Sequence, residues 1–249
     1  MNNYFNKPNI PHSRVTAAIV SKTDERIIDF LELFGISLLF TRENRYIDFS
    51  ISSHADVNVF HCGEKKLLLD VSQAELFERL TALGFEPEYV SSPITGQYPG
   101  DCRLNCACVG KYAFGKLEEL DEKITGLKNF EKINVNQGYA KCSTCIVSES
   151  AVITDDASIE KACRKAGLDV LKIEKGDIAL SGHEYGFIGG ASALVDKKHL
   201  AFFGDIRKHR NFEQIEAFLK MHNCHYSYIE NYPLTDIGGM IPILQKSDC

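Results

Sequence analysis

The chain repeats one phrase four times in unbroken order: a short strand, a turn, a second strand, an amphipathic helix and a third strand. The copies are Ser50–Tyr89, Asp101–Val135, Lys141–Glu174 and Gly190–Glu230. A unit of this size cannot bury its own apolar face, so it must stack on its neighbours, and a fixed period marks a repeat architecture. The two chain ends read as halves of a fifth copy. Val15–Ser21, the helical pattern Thr23–Gly35 and the strand Ile36–Phe40 lack a first strand, and Met240–Leu244 is a surplus strand with no helix after it. Docking Met240–Leu244 beside Ala17–Ser21 closes a ring of five ββαβ units and removes exposed sheet edges, which invite aggregation. The expected fold class is therefore α/β, a β/α propeller forming one domain over residues 1–249. The competing arrangement is a row of β-α-β units in an open doubly wound sheet, which also alternates strands and helices.

The helix assignments rest on the 3.6-residue period. In Ser72–Gly84 the stripe is Leu76, Leu80 and Leu83 with Phe77 beside it, and Gly84 is placed to cap the C-terminus. In Ser158–Gly167 the stripe is Ile159, Ala162 and Ala166, with Asp155 or Asp156 as N-cap. Phe212, Ile215, Phe218 and Leu219 form the stripe of the last helix. The first strand of each unit is small or apolar throughout, as in Cys106-Ala107-Cys108 and Ala191-Ser192-Ala193, the pattern of strands buried on both faces.

Composition narrows the function classes. The net charge of −6 carries no electrostatic footprint for nucleic acid. No apolar run reaches the roughly 18–20 residues of a membrane span. The opening MNNYFNKPNIPHSR has no signal-peptide apolar stretch and is expected as a leader strand or coil. Nine cysteines, with no secreted-type framework, fit reduced thiols in a cytoplasm. A homo-oligomer is compatible with this composition.

Chemistry is expected in the joints between third and next first strands, which meet at one end of a ring. These joints are Ser50–Asp56, Gln97–Asn105, Asn136–Thr144, Glu174–Gly190 and Asn231–Gly239. Four carry an aspartate, namely Asp56, Asp101, Asp177 and Asp236, and the fifth carries Lys141 and Cys142. A ring of carboxylates with one cysteine and one histidine suits a small cationic ligand, although Asp and Gly also serve simply as turn residues.

Five units closed by both chain ends resemble the pentein propeller, the fold of the guanidino-group-modifying superfamily. His54-Ala55-Asp56 looks like that superfamily's H-x-D motif, Gly138–Thr144 resembles the turn leading to its cysteine, and Glu174-Lys175-Gly176-Asp177 is similar to its acidic turn. The resemblance implies Cys142 as nucleophile, His54 as acid and base, and Asp56 as its orienting carboxylate or a substrate ligand. It further implies a substrate cradle from Asp101, Asn105, Lys141, Glu174, Asp177 and Asp236, with no cofactor and no metal. The motif order departs from the family, being histidine, cysteine, acidic turn, which a fivefold pseudosymmetric ring accommodates as a circular permutation. In the family's usual register the nucleophile follows the final Gly-Gly, and here Ile237-Gly238-Gly239 leads to Pro242 instead. Two functions stay open: an enzyme acting on a guanidino or amidino group through a cysteine adduct (hydrolase or amidinotransferase), and a non-catalytic pentein binding a ligand or protein partner in its central cleft.

Rival readings attach to single residues. Cys142 also reads as an inert buried thiol, and His183 and His209 rival His54. Cys142 and Cys145 form a C-x-x-C, but residues three apart on a strand point to opposite faces, which argues against a shared zinc ion.

Overall fold

The computed structural model describes residues 2–247. The chain opens with β1 (Asn2–Tyr4), β2 (Val15–Ser21), helix α1 (Glu25–Glu32) and β3 (Ser37–Thr41). The next unit has a one-turn helix α2 (Ala55–Asn58), then β4 (Val59–Gly63), β5 (Lys66–Leu69), α3 (Ala74–Ala82) and β6 (Glu86–Tyr89). It is followed by β7 (Ala107–Val109), β8 (Tyr112–Gly115), α4 (Glu122–Thr125) and β9 (Glu131–Asn134). Then come β10 (Thr144–Ser148), β11 (Ala151–Thr154), α5 (Ala157–Lys165) and β12 (Asp169–Lys172). The last full unit is β13 (Ser192–Asp196), β14 (His199–Phe202), α6 (Phe212–Met221) and β15 (His225–Tyr228), and β16 (Met240–Lys246) ends the series.

These strands form five small sheets rather than one open sheet. In each complete unit the first strand pairs antiparallel with the second, and the second pairs parallel with the third across the helix. The remaining sheet, ordered β1-β16-β2-β3, joins the two ends of the chain as the sequence anticipates, with Met240 opposite Val20 and Pro242 opposite Ala18. A proline inside a central strand lacks its ladder donor, and the register shifts directly after it, between Pro242 and Leu244.

One carboxylate recurs at the start of every unit's helical segment. Asp24, Asp70, Asp121, Asp156 and Asp205 each accept a backbone N–H two residues ahead, satisfying a donor that a helix leaves unpaired. Of the two candidates for α5, Asp156 is the cap, bonding both Ser158 and Ile159. Three of these carboxylates also clamp the chain as it leaves a third strand. Asp70 accepts from Ile94 N, Asp121 from Ser91 N and Asp205 from Asn231 N, at 3.0, 2.7 and 3.2 Å. The segments leaving β6 and β15 are thereby fixed to the scaffold.

The helix stripes pack into the cores between sheets. Ile159 and Cys163 of α5 and Ile215, Phe218 and Leu219 of α6 enter one apolar cluster with β11, β12 and β14. Leu76 and Leu80 enter another, but Leu83 is exposed, because the helix ends there and Gly84 turns the chain at φ +84°. The pattern around Leu117–Leu127 yields only the single turn of α4, capped by Asp121. Among the described residues no helix is long and apolar enough to cross a membrane.

The capping carboxylates differ in what they hold. Asp70 is buried and accepts three hydrogen bonds, from Asn44, Ser72 and Ile94, whereas Asp24 is exposed and caps its own helix through Arg26 N. Asp70→Ala is expected to lower stability by about 3 kcal/mol, because it strands buried donors, and Asp24→Ala by about 1 kcal/mol. Urea unfolding midpoints of the two variants measure the difference, and equal shifts would contradict it.

Candidate active site

The five first strands begin at Val59, Ala107, Thr144, Ser192 and Met240, and the residues two positions earlier are Val57, Asn105, Cys142, Gly190 and Gly238. These equivalent positions converge. Val57 and Cys142 line one cavity of about 280 Å³. Asn105 Nδ2 lies 3.8 Å from Cys142 Sγ, and the Gly190 N–H donates to Cys142 O at 3.0 Å. Gly190 and Gly238 make room for chemistry. A Cβ at Gly190 would sit 1.9 Å from Asp236 Oδ1, and one at Gly238, where φ is +75°, would sit 2.4 Å from His54 Cβ.

Cys142 belongs to a tight turn before β10, in which Ser143 N–H donates to Tyr139 O and the Thr144 hydroxyl donates to Ala140 O. The buried Asn105 carboxamide fixes this turn. Its oxygen accepts from Lys141 N at 2.7 Å and Cys142 N at 3.2 Å, and its Nδ2 donates to Asp56 O at 3.2 Å. Asp56 sits in α2 and His54 immediately precedes that helix, so one helical turn presents both side chains.

The Cys142 thiol donates to Asp56 Oδ2 at 2.7 Å, and Lys141 Nζ lies 3.8 Å from the same oxygen. Lys141 also donates to Gly189 O at 3.1 Å, so its ammonium is buried but partnered. His54 Nδ1 lies 3.8 Å from Asp236 Oδ1. The Asp236 carboxylate is held by the N–H groups of Phe187 and Gly238 at 2.8 and 2.9 Å. Two buried atoms here, Asp56 Oδ1 and His54 Nδ1, have no hydrogen-bond partner among the described residues.

Burial, with the carboxylates of Asp56 and Asp236, pushes the Cys142 thiol well above its ordinary pKa, while Lys141 pulls the other way. Burial likewise raises the Asp56 carboxyl, opposed by Lys141 and His54. The resting nucleophile candidate is therefore a thiol and not a thiolate. Cys142 lines the cavity yet is only 3% exposed. A ligand must approach it through the cavity.

The structure brings together Cys142, His54, Asp56, Asn105, Lys141 and Asp236. Asp101 is one step removed: it is buried, and its Oδ2 accepts from the hydroxyl of Tyr139, a wall of the cavity, at 2.6 Å. Glu174 and Asp177 are not brought in. Asp177 binds the Arg210 guanidinium at 2.7 and 2.9 Å, which holds its carboxyl at about 2, and Glu174 lies 3.8 Å from the same arginine. Of the rival histidines, His209 is buried near that ion pair, its Nδ1 accepting from Asn211 N. His183 is exposed and lines the cavity, its Nε2 2.7 Å from Ser50 Oγ and 3.8 Å from Asp48 Oδ1. Pro242 is inside β16 and does not line this cavity.

Sequence reasoning missed most of the walls, which are Ile51, Val57, Tyr139, Leu180, Glu184, Tyr185 and Phe187. The signal was present as aromatic and apolar residues set inside polar, glycine-rich joints. His54, Asp56 and Cys142 also form a group able to hold a metal ion, with donor atoms within 4.8 Å of one another. Three donors plus water is the pattern of catalytic zinc. Lys141 opposes it, since its buried ammonium already neutralises the Asp56 oxygen bonded to the thiol.

Comparison with solved structures assigns the fold. An amidinotransferase from Microseira wollei in the saxitoxin biosynthetic pathway aligns with a TM-score of 0.61 at 11% identity, covering 99% of this chain and 98% of that one. The inosamine-phosphate amidinotransferase from Streptomyces griseus aligns with 0.60 at 8% identity, covering 97% of each. DDAH from Pseudomonas aeruginosa aligns with 0.58 at 9% identity, covering 91% and 96%. The protein is thus a pentein-type β/α propeller. Within that class it belongs to the family of unknown function DUF6873, whose model matches residues 18–241. No curated protein matches the sequence.

The electrostatics make a testable statement about the thiol. In the free protein Cys142 is expected to react slowly with iodoacetamide at pH 7–8. Asp56→Asn removes a negative charge that holds the thiol pKa up, so labelling at pH 8 is expected to accelerate roughly tenfold per unit of relief. Peptide mass spectrometry of Cys142 labelling reads the rate, and an unchanged or slower rate would show that Asp56 does not govern the thiol.

Proposed function

We propose that the chain modifies the guanidino or amidino group of a small cation through a covalent Cys142 adduct. The carrying observation is the Cys142 thiol, bonded at 2.7 Å to a buried carboxylate and sharing its cavity with His54 and Asp236. The fold supports the reading, because its solved neighbours include amidinotransferases and an agmatine deiminase. Guanidinium is planar and cationic, and carboxylates bind it through paired N–H···O bonds. Asp236 is the buried carboxylate that lines the cavity, and Asp56, bonded to the Cys142 thiol, keeps a buried Oδ1 without a partner among the described residues.

The substrate cation supplies what the resting site lacks. Its positive charge opposes the two carboxylates that raise the Cys142 pKa, so the thiol proton passes to Asp56 Oδ2 along the existing hydrogen bond. The thiolate then attacks the guanidinium carbon, forming a C–S bond as the C=N π pair moves to nitrogen. The leaving amine takes a proton from His54 as its C–N bond breaks, leaving a thiouronium adduct. A water molecule or an acceptor amine next attacks the same carbon and gives its proton to His54. The C–S bond breaks, and the sulfur regains its proton from Asp56. Water gives hydrolysis and an amine gives amidino transfer.

The 3% exposure of Cys142 favours a second reading, a pentein that binds its ligand without turning it over. Acid quenching during incubation with a panel of guanidines, followed by intact-mass measurement, separates the two. The enzyme reading expects an adduct on Cys142, no adduct in Cys142→Ser, and turnover reduced on the order of 10³-fold or more in that variant. His54→Gln is expected to cost on the order of 10²–10⁴-fold. A chelator is expected to leave the rate unchanged. Ligand binding without adduct or product would establish the binder, and chelator-sensitive activity would favour zinc.

A further inference from the structure

The cavity that holds Cys142 has a charge pattern of its own. Neither lysine nor arginine lines it. The Lys141 ammonium, the nearest buried cation, is committed to Gly189 O and Asp56. Lys175 lies over the Tyr185 ring, 5.7 Å from its centroid, but does not line the cavity. The cavity does carry a second carboxylate besides Asp236. Glu184 lines it from an exposed position, and its side chain makes no hydrogen bond or ion pair among the described residues. Apart from His54 and His183, the other walls are apolar or aromatic, except for the Cys142 thiol, with Tyr139, Tyr185 and Phe187 packed in a chain of ring contacts at 6.3 Å.

A ligand anchored at Cys142 by its guanidinium must run its tail along these walls toward Glu184. A carboxylate on that tail would meet Glu184 and Asp236 with no lysine or arginine to receive it, the exposed His183 being already engaged by Ser50 and Asp48, and like-charge juxtaposition costs several kcal/mol. A second ammonium would meet a free carboxylate and aromatic faces, both of which attract cations. Resting on the guanidino reading above, we infer that the substrate is a guanidine with a short apolar tail that bears no carboxylate and ends in a second cation, received by Glu184.

The test uses the full-length Cys142→Ser variant, expected to bind without appreciable turnover, titrated calorimetrically with agmatine, arginine and n-butylguanidine, and the same titrations with Glu184→Gln added. Agmatine has a cationic tail, arginine adds a carboxylate and n-butylguanidine has a neutral tail. Agmatine is expected to bind at least about tenfold more tightly than arginine. It is also expected to exceed n-butylguanidine by about fivefold, an advantage that fades in high salt. Glu184→Gln is exposed and tolerable to the fold, and it is expected to erase the advantage of agmatine over n-butylguanidine while leaving n-butylguanidine unchanged. Arginine binding as tightly as agmatine, or agmatine binding no tighter than n-butylguanidine, would overturn the inference and leave the guanidino reading standing. Failure of all three to bind, in this variant and in the wild-type protein, would overturn both.

Discussion

The carboxamide of Asn105 is the interaction on which the site depends. It accepts from the backbone of Lys141 and Cys142 and donates to the backbone of Asp56, so it holds together side chains supplied by two other units. Asn105 is fully buried, and a buried amide that is bonded at both ends has one orientation. The turn carrying the thiol and the helical turn carrying the carboxylate are therefore aligned by one residue that belongs to neither. The short contact between Cys142 and Asp56 follows from that alignment.

The site is electrostatically unfinished. Cys142, Asp56, Lys141, His54 and Asp236 are all buried, yet they carry two carboxylates against one ammonium and one imidazole. Burying such a set is costly unless its charges are paired. Lys141 compensates Asp56, and backbone N–H groups compensate Asp236. Asp56 Oδ1 and His54 Nδ1 remain without partners. On the function proposed above, a cation in the cavity would complete this set and tie ligand binding and thiol activation to one electrostatic event.

Much of the architecture was legible because it is periodic. A repeated strand-helix phrase leaves few alternatives, and the surplus Met240–Leu244 strand had an evident vacancy beside Ala17–Ser21, where β16 pairs. Within the site, Cys142, His54, Asp56, Asn105, Lys141 and Asp236 were reachable from the polar joints, since each falls within a few residues of a first strand. Glu174 and Asp177 failed because the same residue types serve surfaces: Arg210, thirty-odd positions on, claims both. Nothing in the local pattern announces so distant a partner. The cavity walls failed for the opposite reason. Tyr139, Tyr185 and Phe187 are ordinary core-type residues, and only their placement on joints brings them to the cavity.

The strand pairing that unites the chain ends bears on how the molecule is assembled. β16 is interior to its sheet, between β1 and β2, so strands near the start of the chain stay incomplete until the last strand arrives. Met240 must find Val20 across nearly the whole length of the polypeptide, and contacts of such separation close slowly. Asp236 and Gly238 lie just before β16, so the same late step that finishes the sheet also finishes the site. During synthesis, four units can order themselves while the first two strands wait. A chain released short of β16 would hold folded units around an incomplete centre, with β2 exposing an unpaired edge.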